Sequence, residues 1–429
     1  MTGAFLIGER LKVPPLRFNP SSLQAQHQDA RKGLKIYGPY DASRLGKENV
    51  RCTLIYLSSL QREKLKLSEG LKNGSGAFSG FSSLFRVPLE FVMEREIETR
   101  EIRKAIDDTV RNDEPDIVIA ITSSKDEKIY TDIKALLLAH GIPSQVVTAE
   151  TLRNRQGLPW ILENIALQIY GKIGGTPWTV MSHSQRRELV VGVSRAMDKE
   201  KNYVIGFIIL FTHDGDYQFM YSLAPKPVGW NKLEEYREEL AALILDAYRE
   251  YERKMGKPSS IVIHLCKRPG RFREIAAVEK AMQEIGDDVP YALLHLNDDT
   301  NYRLFDTTHP TYVPQSGIKV EINPHTTLLL LDGRVPDYTG QETRRRRGVP
   351  RVLEVSMDKR STLPIEEFPH LVQQVFEFAR VNWRGFNAQA IPATLNYPYL
   401  VARLVGEIGA DNWSHIVSAG RLRDKVWFL

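Results

Sequence analysis

Residues 116–121 read Asp-Ile-Val-Ile-Ala-Ile, and this run narrows the possible folds most. A strand wetted on one face alternates apolar and polar residues. Here every residue after Asp116 is apolar and most are β-branched, which suits a strand covered on both faces, as in a parallel sheet. Such a sheet needs helices, and the flanking segments offer them. Tyr130 to His140 has helical spacing and is closed by Gly141 and Pro143. Gln145 to Val147 reads as a short strand and Thr151 to Lys172 as mostly helix. Arg51 to Ser58 is an earlier buried-strand candidate, and Glu96 to Val110 has helical spacing. This alternation predicts a Rossmann-like α/β domain over residues 41–175, with residues 1–40 as an irregular arm.

Gly174-Gly175-Thr176-Pro177 is strong punctuation and marks the expected boundary. Beyond it, Glu188 to Met197, Tyr203 to Phe211 and Tyr217 to Ser222 predict an antiparallel meander. A helix over Leu233 to Lys254 follows, then strand Ser260 to Leu265, helix Phe272 to Ile285 and strand Tyr291 to Leu296. Thr326 to Leu331 and Val352 to Met357 read as strands, and Phe368 to Val381 and Tyr399 to Ile408 as helices. A meander, a helix and then alternating strands and helices is the order of a ribonuclease-H-like fold, expected over residues 176–429.

A chain of 429 residues exceeds what one core usually organises, which agrees with two domains. Cys52 and Cys266 are the only cysteines, which excludes a disulfide framework and a multi-cysteine zinc site and fits a reducing cytoplasm. No apolar run is long enough to span a membrane, and Met1 to Arg10 lacks the pattern of a signal peptide. The net charge of +5 is too mild to name a partner. Its distribution says more: Arg344 to Arg347 are contiguous, and Lys267, Arg268, Arg271 and Arg273 form a second group. Such blocks suit phosphates, though solvated loops carry them as readily.

Tyr130 and Lys134 lie four apart and so share one helix face, as do Gln168 and Lys172, while Gln145 begins the intervening strand. Two ammonium groups, two amides and a phenol suit a terminal phosphomonoester, with the ring free to stack on a base. Taken by spacing alone, the lysines are equally read as solvated or as favouring helix C-termini.

Taken in order, Tyr130-x-x-x-Lys134, Ile142-Pro143-Ser144-Gln145 and Asn164-x-x-x-Gln168-x-x-x-Lys172-x-Gly174-Gly175-x-Pro177-Trp178 resemble the MID-domain signature of Argonaute proteins. Asn382-Trp383-Arg384-Gly385-Phe386 and Ile391-Pro392-Ala393-Thr394-Leu395-Asn396-Tyr397-Pro398 resemble the last stretch of PIWI domains. The likeness runs from about Gly38 to Leu429 and is to short prokaryotic Argonautes, built of MID and PIWI domains without separate amino-terminal and PAZ domains. It implies that Tyr130, Lys134, Gln145, Gln168 and Lys172 hold the 5′-phosphate of a guide. It also implies that Gln168 and the carboxylate of Leu429 share one Mg²⁺ with the guide phosphates, since carboxylate and phosphate side by side would repel. Lys267, Arg268, Arg384 and Asn396 are implied backbone contacts. The expected partners are a guide RNA (or DNA), a single-stranded DNA target, and an APAZ-domain effector protein: a TIR or sirtuin-type NADase, or a nuclease.

Slicing by this fold needs carboxylates around two divalent ions. The resemblance places Ser194, Cys266 or Lys267, and Tyr399 in those slots, and none can hold a hard cation pair. The chain is therefore expected not to cleave, and any enzymatic activity falls to the partner. Asp198, Asp214, Asp216 and Glu274 are the nearby acids through which an active nuclease would have to work, with Asp214-Gly215-Asp216 read as a hairpin turn. A small-ligand-binding α/β regulator is a third possibility.

Overall fold

The computed structural model describes the chain except residues 1–6, 42–44, 185, 214–215, 222–226, 229–231, 267–270, 337–341, 344–347, 388, 410–412, 414–415, 417–421 and 423–424; for 208–213, 216–221, 227–228, 271–272, 336 and 342–343 it describes the backbone alone. The chain divides into two compact units, and the division is not linear. One unit comprises Leu16–Thr179, Trp383–Phe386 and Leu404–Leu429; the other comprises Met1–Pro15, Val180–Asn382 and Asn387–Arg403. The break near Thr179 lies close to the Gly174–Pro177 punctuation, whereas the grouping of the last residues with the amino-terminal half has no local signal.

The first unit is built on α1 (Ala30–Tyr37), β1 (Val50–Leu57), α2 (Gln61–Asn73), β2 (Leu89–Ile97), α3 (Ile102–Asn112), β3 (Ile117–Thr122), α4 (Glu127–Ala139), β4 (Ser144–Thr148) and α5 (Leu158–Lys172). Its sheet runs β2-β1-β3-β4, all parallel. All six residues of β3 are buried, as the apolar run predicts. Each large side chain so covered contributes about 1.5–3 kcal/mol. Two expectations are corrected here. The arm is not wholly irregular, because the Asp29 carboxylate caps Lys32 N at 2.9 Å and starts α1, which buries Ala30, Gly33 and Leu34. Glu96 and Ile97 end strand β2 rather than begin a helix, since pairing with β1 overrides their spacing; Glu98 and Glu101 then form a capping box that leads into α3.

The second unit contains β5 (Glu188–Met197), β6 (Tyr203–His213), β7 (Asp216–Tyr221), α6 (Leu233–Met255), β8 (Ser260–Cys266), α7 (Ala276–Ile285), β9 (Tyr291–Asn297), β10 (Ile318–Asn323), β11 (Thr326–Leu330), β12 (Leu353–Met357), α8 (Phe368–Ala379) and, as far as Arg403, α9 (Ala393–Ile408). The sheet order is β10-β11-β12-β9-β8-β5-β6-β7, with the short strand Gly8–Arg10 on β10. The meander β5-β6-β7 is antiparallel, while β8 lies parallel to both β5 and β9. This is the mixed sheet that the ribonuclease-H-like order anticipates. Buried Glu188 and Glu377 hold α8 through a hydrogen-bonded chain in which His183 meets Glu377 at 2.9 Å, His370 meets His183 at 2.6 Å and His370 meets Glu188 at 2.9 Å.

The last helix also departs from expectation. It begins at Ala393, not at Tyr399, and runs through Pro398. Proline removes one helical N–H and pushes the preceding turn apart. The neighbouring carbonyl of Leu395 gains a second donor instead, the hydroxyl of Ser194 at 3.0 Å. Among the described residues no helix is long and apolar enough to cross a membrane.

Candidate functional site

In the first unit, strands β3 and β4 end at Thr122 and Thr148, and a cleft of about 380 Å³ opens beyond them. The carboxyl ends of parallel strands are where open α/β sheets receive ligands. Tyr130, Gln145, Asn164 and Gln168 line the cleft together with the two threonines. Tyr130 and Lys134 share a face of α4, with the lysine nitrogen 5.7 Å from the ring centroid. Gln168 and Lys172 share a face of α5. Gln145 joins the cleft to the lysines: it lines the cleft and bonds Lys172, while Lys134 and Lys172 reach the amino end of β4 and do not themselves line the cleft.

The two lysines are almost wholly buried, at 2% and 1% exposure. Lys134 donates to the Ser144 carbonyl at 2.6 Å; Lys172 donates to the same carbonyl at 3.1 Å and to Gln145 Oε1. Neither has an ion pair among the described residues. Burial pushes the Lys134 ammonium down to about 8, and burial, then the Lys134 charge, then Arg384 push Lys172 well below the ordinary lysine value. The Ser144 carbonyl is a group that sequence could not flag, because a backbone acceptor has no residue signature.

This arrangement costs stability and has a testable sign. The unfolded chain binds these protons more tightly than the folded one, so stability of the protein alone should rise with pH from about 8 toward the ordinary lysine value of 10.5. Lys172→Met, which keeps volume and removes the charge, is expected to raise the melting temperature while weakening anion binding. Thermal melts of both proteins across that pH range decide it; a lower melting temperature for the variant would mean that the lysine is structural.

Gln168 Nε2 donates to the Arg384 carbonyl at 3.0 Å, and the Arg384 side chain is exposed. Arg384 therefore belongs to the lysine site. A Cβ added to Gly171 would lie 2.8 Å from Val426 Cγ2 and 3.3 Å from Leu429 Cδ1, so the end of the chain packs on α5 directly beside Lys172. Trp427 stacks near Trp413 at 5.6 Å and secures that end. On the opposite face of α5, the buried carboxylate of Glu163 pairs with Arg31 at 2.5 Å, whose guanidinium lies 4.7 Å from the Phe386 ring centroid and 5.2 Å from that of Trp160.

In the second unit, the slots that the resemblance assigns to catalytic carboxylates are seen at one sheet edge. Val193 sits opposite Leu265, and Cys266 opposite Leu296, so Ser194 and Cys266 lie level where the parallel strands end. Ser194 is 2% exposed and committed to the Leu395 carbonyl. Tyr399 is 45% exposed on α9, and Asn396 lies half-buried on the same helix. Glu274 is buried and accepts from Arg195 Nη1 at 2.6 Å and from the Tyr236 hydroxyl at 3.1 Å. Asp198 caps its own turn, accepting from the backbone of Glu200 and Asn202 at 2.9 and 2.8 Å. Lys267, Arg268, Asp214 and Arg344 to Arg347 lie outside the described residues. Among the described residues, no three His, Cys, Asp or Glu side chains converge as a metal site. His264 is buried, its Nδ1 meeting Thr394 Oγ1 at 2.9 Å, and burial pushes its imidazole down to about 3, which keeps it neutral.

The family model of the Piwi domain matches residues 116–409. An argonaute protein of Cereibacter sphaeroides is 25% identical over 93% of this chain and 56% of its own length. A Piwi protein of Archaeoglobus fulgidus is 23% identical over 93% of both chains. Among solved structures, Clostridium butyricum Argonaute bound to a guide DNA and a 19-mer target DNA matches with a TM-score of 0.72 at 16% identity, covering 94% of this chain and 53% of that one. Drosophila Piwi matches with a TM-score of 0.71 at 17% identity, covering 98% and 56%. The chain thus spans about half the length of these solved relatives and of the Cereibacter protein.

Proposed function

The chain belongs to the Piwi domain family, and from that premise we propose that it is a short Argonaute that holds a guide strand by its 5′-phosphate and captures a complementary target. The observation that carries this reading is the buried pair Lys134 and Lys172, whose partners are neutral oxygens. A phosphate dianion supplies the countercharge that such a pair lacks. Tyr130 can cover the first base, and the amides of Gln145 and Gln168 can donate to phosphate oxygens. Base pairing then reads the target, while the protein reads backbone geometry. The binding contrast between a 5′-phosphorylated strand and its 5′-hydroxyl twin tests the assignment. Equal binding of the two, with tight binding of a small molecule instead, would favour a ligand-responsive regulator.

The residues also fit the divalent ion that the family resemblance implies. Gln168 lines the cleft, and the last residue packs on Gly171, one helical turn away. An amide oxygen and a carboxylate are hard donors suited to Mg²⁺. Such an ion would neutralise the repulsion between the terminal carboxylate and a guide phosphate.

We assign the second unit a binding role without cleavage. Ser194 is engaged with a carbonyl, and the buried acid Glu274 is paired with Arg195. A complementary target paired to a guide is expected to stay intact in Mg²⁺ or Mn²⁺, and Ser194→Asp alone should not restore cutting, because the Cys266 and Tyr399 positions still lack ligands. Denaturing gels read the outcome; a product band lost on Glu274→Ala would establish an active nuclease. The defence role completes the proposal: guide RNA, invading DNA target and cytoplasmic setting, with an APAZ-containing NADase or nuclease partner performing the chemistry once target is captured.

A further inference from the structure

The loop between β9 and β10 carries an exposed aromatic group that the lysine site and the slicer slots leave unexplained. Tyr302 is 47% exposed, and Phe305 and Tyr312 are each 58% exposed. Among the described residues six aromatic side chains count as exposed, and three of them fall in this one loop. Isolated apolar side chains on a surface are ordinary, whereas three exposed rings on one short segment call for a physical reason.

The loop is folded to display them. Arg334, 5% exposed, pins it from below, with Nη2 on Asp306 at 2.6 Å and Nε on the Val313 carbonyl at 2.5 Å. Asp306 N donates to the Tyr312 carbonyl at 3.0 Å, and Tyr312 N donates to the His309 carbonyl at 2.9 Å. Tyr312 has a φ of +55°, a left-handed conformation that an aromatic residue adopts only under constraint. A rigid frame therefore holds the rings toward solvent, where stacking would cost little further ordering.

Its position is set by the sheet. β5, β8 and β9 are parallel, and Ser194, Cys266 and Leu296 lie level with one another, where β8 ends. The loop leaves β9 at that same edge, where the slots that the resemblance assigns to catalytic carboxylates lie. Its charges do not favour a phosphate role: Asp306 is paired with Arg334, and Asp298 and Asp299 stand against Arg303, whose Nη1 is already bonded to the Thr300 and Tyr302 carbonyls at 2.8 and 2.7 Å. An acidic, aromatic surface suits the faces of bases and not their backbone.

We propose that Tyr302, Phe305 and Tyr312 form a stacking platform for unpaired bases of a nucleic-acid strand leaving the duplex along this sheet edge. The proposal rests on the nucleic-acid-binding reading above and adds a subsite to it. Unpaired bases bind by their faces, so the contribution is largely independent of salt and of sequence.

The test loads the full chain with a 5′-phosphorylated guide and measures capture of targets with an unpaired flank, an abasic flank or none, at several salt concentrations. In the wild-type protein the base-bearing flank should strengthen capture about tenfold over the abasic one. The triple variant Tyr302→Ala, Phe305→Ala, Tyr312→Ala should lose that gain while keeping guide affinity and the slope of affinity against salt. Tyr302→Phe with Tyr312→Phe should retain it. A variant that captures flanked targets as the wild type does, or a flank effect that survives with abasic residues, overturns the platform. Loss of 5′-phosphate preference in the wild-type protein would instead overturn the underlying reading.

Discussion

A short strand carrying a 5′-phosphate is expected to bind at least about 100-fold more tightly than the same strand with a 5′-hydroxyl. The magnitude follows from the two lysines. Each charge-assisted contact is worth about 1.5–3 kcal/mol, and about 1.4 kcal/mol is tenfold in affinity. Lys134→Ala and Lys172→Ala should each remove one such contact and erase most of the preference, leaving binding of the 5′-hydroxyl strand little changed. Because burial holds Lys134 near 8 and Lys172 well below the ordinary lysine value, phosphate binding, which favours both ammonium forms, should be coupled to proton uptake. Titration calorimetry in buffers of different ionisation enthalpy reads that uptake directly. Affinity for the phosphorylated strand should then fall as pH rises above about 8, as the ammonium forms are lost. Indifference to the 5′ group, in the wild-type protein and in both variants, would remove the basis of the assignment.

The largest stability loss is expected from Gly206→Ala. Gly206 lies on β6 directly opposite Ser194 on β5. A Cβ there would meet the Pro398 carbonyl oxygen at 1.7 Å and its carbon at 2.4 Å. The obstacle is backbone of α9, which cannot rotate away as a side chain can, so the helix must shift. Overpacking of this kind costs typically 1–3 kcal/mol, and the fixed backbone places this case at about 3 kcal/mol or above. The same shift would break the Ser194 bond to Leu395, which lies one helical turn before Pro398. Chemical denaturation compares the variant with wild type, and Ser194→Ala provides the scale, because it removes the single hydrogen bond for about 1 kcal/mol. A Gly206→Ala protein as stable as wild type would show that α9 floats on the sheet. That would also withdraw the account of Ser194 as its anchor.

The two halves of the site were legible to different degrees. Tyr130, Lys134, Gln168 and Lys172 could be paired from sequence because a helix returns every fourth residue to the same face. That α4, β4 and α5 set them side by side along β4 is a property of the parallel sheet. The fate of the acids was opaque for a related reason. Glu274 stands in the sequence as one acid among 53 acidic residues, and its neutralisation depends on Arg195 and Tyr236, which arrive from two distant elements. The aromatic loop gave no periodic signal at all, since exposure is a property of what does not pack against it.

Local chemistry therefore carried the class of the protein. The apolar run of β3, the Gly-Gly-Thr-Pro punctuation, the meander order and the four-residue pairs are all short-range patterns, readable because hydrophobic period and turn propensity act over a few residues. The tertiary structure decided what those residues are worth. It buried both lysines over one carbonyl, returned Leu429 to the side of Lys172, carried α9 through Pro398 and closed Gly206 against it. Each of these depends on contacts between residues far apart in the chain, and desolvation and steric exclusion become definite only when those residues meet.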